Sequence, residues 1–259
     1  MTRILVTSDL HCGHLLGLTP PAWWSDQNRA IARPLWEMYA AECARIGPVD
    51  IAVHNGDLTD GEGKKGTIGL LTSDTAEQAR MAVEACAVIQ ARHRYVTYGT
   101  GFHVVSTWSH EQAVAEAMDA EIFETLRLEV HGVRFNFRHV VGRSDVPYGQ
   151  GTQLYKEAVR EQLQAVMEER DAADVMVRSH VHYFFEARSS RKRAITSPCL
   201  QLCNPDGDGN VWARGLRTMY YDVGLLLIEV DNTGEVFPRE RIFPLKTIVP
   251  RRYLCPELD

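Results

Sequence analysis

Five short stretches of the 259-residue chain end or pivot on aspartate and histidine: SDLHCGH at 8–14, NGDLTD at 55–60, GTGFH at 99–103, RHVVG at 138–142 and SHVH at 179–182. Read in order, they supply Asp9, His11, Asp57, His139, His180 and His182. Imidazole nitrogens and carboxylate oxygens together suit Mn, Fe, Zn or Ni better than Mg or Ca alone. No cysteine joins the set, which speaks against a structural thiolate zinc site. A carboxylate has two oxygens that can each face one ion, and two ions sharing such a bridge need about this many ligands. The residue types point to two-metal hydrolytic chemistry.

Each piece alone is weak, because an isolated Asp-X-His is common and an isolated Gly-Asp more often marks a turn. What raises their weight is the element that precedes each one. RILVTS at 3–8 and DIAVHN at 50–55 are apolar, β-branched runs, and Asp9, His11 and Asp57 follow them at once. RYVTYG at 94–99 precedes the third stretch, FNFRH at 135–139 carries the fourth, and DVMVRSH at 174–180 leads into the fifth. Polar residues released at the carboxyl ends of strands are the expected site geometry of an α/β sheet. The 3.6-residue period predicts helices over 26–46, with Pro34 near its first turns, 74–92 with Asp74 as cap, 109–120 and 152–171. Beyond the last motif, YFFEAR, RAITSPCLQL, YYDVGLLLIEVD and EVFPRERIF read as short strands that would make a second sheet packed against the first.

The order Asp-X-His, Gly-Asp-X-X-Asp, a Gly-Asn-His element, a lone His and Gly-His-X-His resembles the pattern of calcineurin-like metallophosphoesterases, here spread from residue 9 to residue 182. Two departures stand out. Ser179 occupies a position that is usually glycine in that family, and Gly99-Thr100-Gly101-Phe102-His103 replaces the Gly-Asn-His. That GTxxH-like third motif and the opening DLHCGHLLGLTPP look similar to a subgroup often found in phages and prophages. The resemblance implies a four-layer α-β-β-α sandwich, two mixed sheets face to face with helices outside, over residues 1–259 as a single domain. It implies that Asp9, His11 and His182 hold one divalent metal, that His139 and His180 hold a second, and that Asp57 bridges them. The implied cofactors are two divalent transition-metal ions, Mn above all, with Fe, Ni or Zn as substitutes. Thr100 stands where the missing asparagine ligand would be. His103 is either the replacement ligand or, preferred here, the catalytic acid.

Such a site hydrolyses phosphate esters. Two ions roughly 3.5–4 Å apart neutralise the ester oxygens and activate water as hydroxide. The leaving alkoxide needs a proton, and a histidine with a pKa near ~6.5 is a natural donor. Asp60 and Glu111 are carboxylates that could orient His103. Among the other histidines, His14 reads as loop-capping, His54 as packed in its strand, and His93, His110 and His131 as surface residues. Cys12, inside the first motif, reads as a small packed residue.

Bulk properties agree. Hydrophobic content of 45% and charged content of 24% are ordinary for a globular chain able to bury a core. Six cysteines without CxxC spacing are expected of reduced thiols, no run approaches a membrane span, and the start reads as a strand rather than a signal peptide, so a cytoplasmic location is expected. GEGKKGTIG at 61–69 lacks P-loop spacing. A net charge of −6 argues against broad binding of long duplexes. RSSRKR at 188–193 reads as a solvated hairpin tip, with a phosphate-steering patch beside the metals as the functional alternative, and Trp23, Trp24 and Trp108 read as packing residues, with base stacking as the alternative. The expected substrate is therefore a phosphodiester, a nucleic acid strand or cyclic nucleotide. A phosphomonoester is the alternative, and a metal-binding interaction module without turnover is the alternative of another class.

Overall fold

A computed structural model describes residues 1–62, 69–100, 110–144, 146, 149–190, 192–202 and 221–244. His103, Trp108, Lys64, Lys65 and Arg191 lie outside the described residues.

The first strand, β1 (Thr2–Thr7), is hydrophobic at every position from Ile4 to Val6 because both of its faces are covered. Ile4 and Val6 point one way, into a core shared with Phe135, Phe137, Val175 and Val177 of a second sheet. Leu5 points the other way, toward Leu35, Tyr39, Met81 and Ala82 of the covering helices. The two-residue period of the strand thus divides its side chains between two cores.

One sheet has six strands in the order β11 (Val236–Ile242), β10 (Gly224–Val230), β1, β2 (Val49–Asn55), β3 (Ala91–Thr97) and β4 (Glu121–Phe123). From β1 to β4 the strands are parallel, while β10 and β11 join antiparallel. The other sheet has five, in the order β5 (Leu126–Val130), β6 (Val133–Phe137), β7 (Val175–Arg178), β9 (Arg193–Thr196) and β8 (Phe185–Arg188), with β6, β7 and β9 parallel. Helices α1 (Arg29–Ile46), α2 (Thr75–Ala87) and α3 (His110–Ala117) pack their apolar faces on the first sheet. Helix α4 (Gln150–Met167) sets Leu154 over Met176, Ala187 and Ala194 of the second. The result is the α-β-β-α sandwich of two mixed sheets. No helix among the described residues is long and apolar enough to cross a membrane.

Two sequence expectations change. The division between sheets does not fall after the last motif: β10 and β11 extend the first sheet beside β1, and the second sheet already begins at β5. Period alone does not say which sheet an apolar strand joins. The helix predicted over 74–92 stops at Ala87, since Ala91 opens β3. For RSSRKR the hairpin reading holds and the steering alternative gives way, since its described residues sit at the wrong edge to steer substrate. Arg193 pairs with Val175 at the amino end of β7, whereas His180 and His182 follow the carboxyl end of that strand. Lys192 Nζ donates to the Ala173 carbonyl, and Arg193 donates to the Val236 carbonyl at 2.8 Å and pairs with Glu186. These cations pin a hairpin.

Helix α4 turns carboxylates inward. Buried Glu157 meets Arg178, and buried Glu161 accepts from Asn136 Nδ2 at 2.9 Å, from Arg170 at 2.7 Å and from Ala173 N at 3.1 Å. Burial disfavours the Glu161 anion, but these donors outweigh it and hold the carboxyl below its ordinary range. Its contribution is therefore complete above a pH of 4.5, the ordinary value, and is lost as pH falls through the depressed native value. Glu161→Gln should cost about 1.5–3 kcal/mol at neutral pH, because Arg170 loses a charged acceptor. Urea unfolding at a series of pH values checks this: the gap between wild type and variant should narrow below the ordinary carboxyl pKa.

Candidate metal centre

All six candidate ligands converge where the carboxyl ends of both sheets meet. Asp9, His11 and His182 offer ligand atoms within 4.8 Å of one another, and so do Asp57, His139 and His180. The five motif-bearing strands thus belong to two sheets, β1, β2 and β3 in one, β6 and β7 in the other, and not to a single sheet edge. The loops behind β1 and β2 are zipped together: Asp9 N donates to Gly56 O, His11 N to Asp57 O and Cys12 N to Leu58 O, all at 3.0–3.1 Å.

Five of the six ligands, Asp9, His11, Asp57, His180 and His182, have φ between 45° and 72°. This left-handed region is uncommon for residues other than glycine and costs about 1–3 kcal/mol at each. It turns each side chain sharply back toward the strand it has just left. The glycines among them are required. A Cβ on Gly56, itself at φ 80°, would meet the His139 ring at 2.6 Å, and one on Gly99 would overlap the Asp57 carboxylate.

Hydrogen bonds select the ligand atoms. His139 Nδ1 lies 2.7 Å from the Asn55 carbonyl, which can only accept, so the ring proton belongs there and Nε2 faces the site. His11 Nδ1 lies 3.0 Å from Asp60 Oδ1, which frees its Nε2 likewise. Asp60 thus orients a metal-ligand histidine. Glu111, on α3, is buried and accepts from Gly99 N at 2.7 Å and from the Asp57 backbone, so it props the loop that carries Asp57. Thr100 donates to Asp57 Oδ1 from its backbone at 2.7 Å and from its hydroxyl at 3.2 Å. Its hydroxyl is directed at the bridging carboxylate rather than supplied as the missing asparagine ligand.

The donor set fits metal ions. Asp9 Oδ1 and His139 Nε2 are buried without an aligned hydrogen bond, and His139 Nε2 lies 2.9 Å from Asp57 Oδ2. Buried polar atoms left in this state are ones that a bound cation would satisfy. Electrostatics agree. Burial works against the Asp9 anion, but His182 and His139 hold its carboxyl well below the usual range. Burial would lower the His139 imidazole, but Asp57 and Asp9 push it up to about 10. Burial and the neighbouring His139 lower His180 to about 4. Protons on imidazole are here doing a cation's work beside two carboxylates.

Some contributors carry no sequence signal of their own. Thr97 Oγ1 donates to Asn55 Oδ1 at 2.9 Å, and Asn55 Nδ2 donates to Ser179 Oγ at 2.6 Å. Ser179 and Ser197 lie 2.7 Å apart, Ser197 and Ser8 2.8 Å, and Ser8 donates to the Pro198 carbonyl at 3.0 Å. Because Ser8 spends its proton on the Pro198 carbonyl, it accepts from Ser197, which in turn accepts from Ser179, so the chain of hydroxyls runs one way from Thr97 to Pro198 and crosses between the sheets. That is the physical role of a serine at a position where the resembled family uses glycine. Gln78 of α2 brackets Gly61, accepting from its N–H at 2.8 Å and donating to its carbonyl at 3.0 Å, next to Asp60.

The remaining histidines follow their sequence reading except His110, which reads as a surface residue but is half-buried at the start of α3. His14 Nδ1 accepts from Leu16 N at 3.0 Å, a loop cap. His54 is buried with Nδ1 2.8 Å from Thr7 Oγ1, and His93 and His131 are exposed while His110 is half-buried. Cys12 is buried and packed. Trp23 and Trp24 spend their indole N–H groups on Glu77 and the Thr19 carbonyl.

No protein-family model matches the chain, and no curated protein does. Among solved structures it is similar to Vps29 of Chaetomium thermophilum, with 13% identity, a TM-score of 0.50, and 93% of this chain and 97% of that chain covered. It is also similar to Vps29 of Entamoeba histolytica complexed with Zn2+, at 12% identity and a TM-score of 0.43, covering 94% and 100%. A novel archaeal phosphodiesterase is 12% identical with a TM-score of 0.44, covering 93% and 100%. At these identities the likeness concerns the fold.

Protein loaded with Mn2+ should hold one ion in each of the two ligand groups, and Asp57→Asn should release most of both while leaving the circular-dichroism spectrum intact. Elemental analysis after desalting reads this directly; a single ion indifferent to His139→Ala would contradict it. Ser179→Ala should cost about 1–3 kcal/mol in denaturant unfolding, because it strands the Asn55 amide and the Ser197 hydroxyl in the interior.

Proposed function

We propose that this chain is a dinuclear metal-dependent phosphoesterase. The observation that supports the reading is the pair of three-ligand groups, almost wholly buried at the junction of two sheets, with His139 Nε2 2.9 Å from Asp57 Oδ2 in its own group and 3.8 Å from Asp9 Oδ1 in the other. When bound, the two ions would neutralise phosphate oxygens and lower the pKa of water to the neutral range.

The chain's own residues supply positioning and proton transfer. Asp57 is held by Thr100 from the carboxylate side and by Glu111 from the backbone side, so its two oxygens stay apportioned between the two groups. Asn55 and Asp60 keep the His139 and His11 protons on Nδ1. His103, three residues after Thr100 in the sequence, is proposed as the acid that protonates the leaving alkoxide. Mn2+ is the proposed native metal, and a cytoplasmic location and membership of the phage-type subgroup remain part of the same reading.

A phosphodiester is the proposed substrate class, with a phosphomonoester as competitor. The hairpin cations and both indoles of Trp23 and Trp24 are taken up by the fold, so the diester reading leans on the site itself and on residues 63–68 and 101–109. A second reading, a metal-binding interaction module, is favoured by one feature: Thr100 in place of the asparagine. Initial rates on bis-p-nitrophenyl phosphate and p-nitrophenyl phosphate with Mn2+, Ni2+, Zn2+ and Mg2+ rank the three readings. No turnover with any metal in protein that holds two ions would favour the module.

The acid role separates by leaving group. p-Nitrophenolate departs without a proton, whereas an alkoxide does not. His103→Ala should keep its metal and its rate on bis-p-nitrophenyl phosphate, and lose about 10²–10⁴-fold on an alkyl phosphate ester. Metal loss with equal damage to both substrates would make His103 a ligand instead.

A further inference from the structure

Helix α4 is amphipathic the wrong way round. Its inner face carries the buried carboxylates Glu157 and Glu161, while its outer face carries Tyr155, Val159, Leu163, Val166 and Met167, which are 57%, 60%, 60%, 69% and 84% exposed. Spacings of four, four, three and one place these five on one stripe. Only nine large apolar residues are exposed among the described residues, and this one helix holds five of them. Scattered exposed apolar groups are ordinary, but a contiguous patch marks a surface that is covered.

The charges along the helix say by what. Arg160 is paired with Glu157 and Glu168 with Arg170 and Arg127 inside the chain, which leaves Lys156 beside the first half of the stripe and Glu169 just past the end of the helix. A partner helix laid parallel in the same register would set Lys156 beside Lys156. An antiparallel copy of the same helix sets Lys156 of each copy near Glu169 of the other. With a two-fold axis between Gln162 and Leu163, Val159 of one copy faces Val166 of the other, Leu163 lies at the centre and Lys156 faces Glu169. A surface that complements itself about a two-fold is the requirement of an isologous dimer. We propose that the outer face of α4 is a homodimer interface, formed by antiparallel packing of two copies of the helix. It lies on the far side of the second sheet from the core of the sandwich, so pairing leaves the metal ligands untouched.

An 18-residue helix is about 27 Å long. A single facing pair of that length covers a few hundred Å² per copy, below the ~800 Å² per partner of a standard interface. The dimer is therefore reversible and concentration-dependent.

Sedimentation equilibrium of the full chain over a concentration series should show a monomer–dimer equilibrium that weakens with added salt. Leu163→Glu and Val159→Glu should each raise the dissociation constant roughly tenfold or more, as loss of a central apolar anchor does. Metal content and bis-p-nitrophenyl phosphate turnover should be unchanged in both. Lys156→Glu should weaken the dimer, and adding Glu169→Lys should restore it. Leu163→Cys should cross-link to itself under mild oxidation, with Tyr155→Cys and wild type as controls that do not. A wild-type protein that stays monomeric at every concentration would overturn the proposal. So would a monomer that Leu163→Glu destabilises, which would assign the stripe to another part of the same chain, or a dimer that neither glutamate variant weakens.

Discussion

Two carboxylates, Asp9 and Asp57, are almost wholly out of water at the junction of two sheets. Buried charge must be matched locally, and nothing else about the site makes sense apart from that requirement. Four imidazoles surround the pair, and the strong upward push on His139 and the strong downward pull on Asp9 are two views of the same field. Protons can supply the missing positive charge, and so can divalent ions. The burial of Asp9 Oδ1 and His139 Nε2 without an aligned hydrogen bond favours ions, because a bound cation would satisfy such atoms.

Holding such a cluster requires stiffness, and the structure draws it from backbone rather than bulk. Left-handed φ at five ligands is unfavourable in isolation. It is offset by backbone bonds between the β1 and β2 loops, by the Ser179 N to His139 O bond at 2.8 Å between the two motifs of the second sheet, and by the hydroxyl relay through Ser179. The relay spans both sheets, so it fixes the distance between ligands that come from different sheets. Asp60, Glu111 and Gln78 form the next layer out, each gripping a ligand or the turn that carries one.

The second sheet's outer helix obeys the same economy of charge with the opposite outcome. Arg178 precedes the Ser179–His180 turn and is buried, so α4 must bring carboxylates inward to match it. Besides its exposed polar groups, the helix presents an apolar stripe from Tyr155 to Met167 outward, while its inner face combines Leu154 with the carboxylates that hold the strand behind His180.

Much of the site was legible in the chain because metal ligands and strand ends leave local marks. Asp9, His11, Asp57, His180 and His182 follow β-branched runs and His139 follows the aromatic run FNFR, and side-chain alternation in such runs depends on nearest neighbours alone. Helices α1 to α4 were legible for the same reason, through their apolar period. What only tertiary structure decided is whatever depends on pairing between distant segments. The assignment of β10 and β11 to the first sheet is set by register with β1, which no local pattern encodes. RSSRKR looked adjacent to the metals because it is ten residues away in sequence, but a reversal of chain direction carries it to the other end of β7. Asn55, Ser197, Gln78 and the true partner of Asp60 are ordinary polar residues whose meaning is a hydrogen bond to something far along the chain, and only folding makes that partner near.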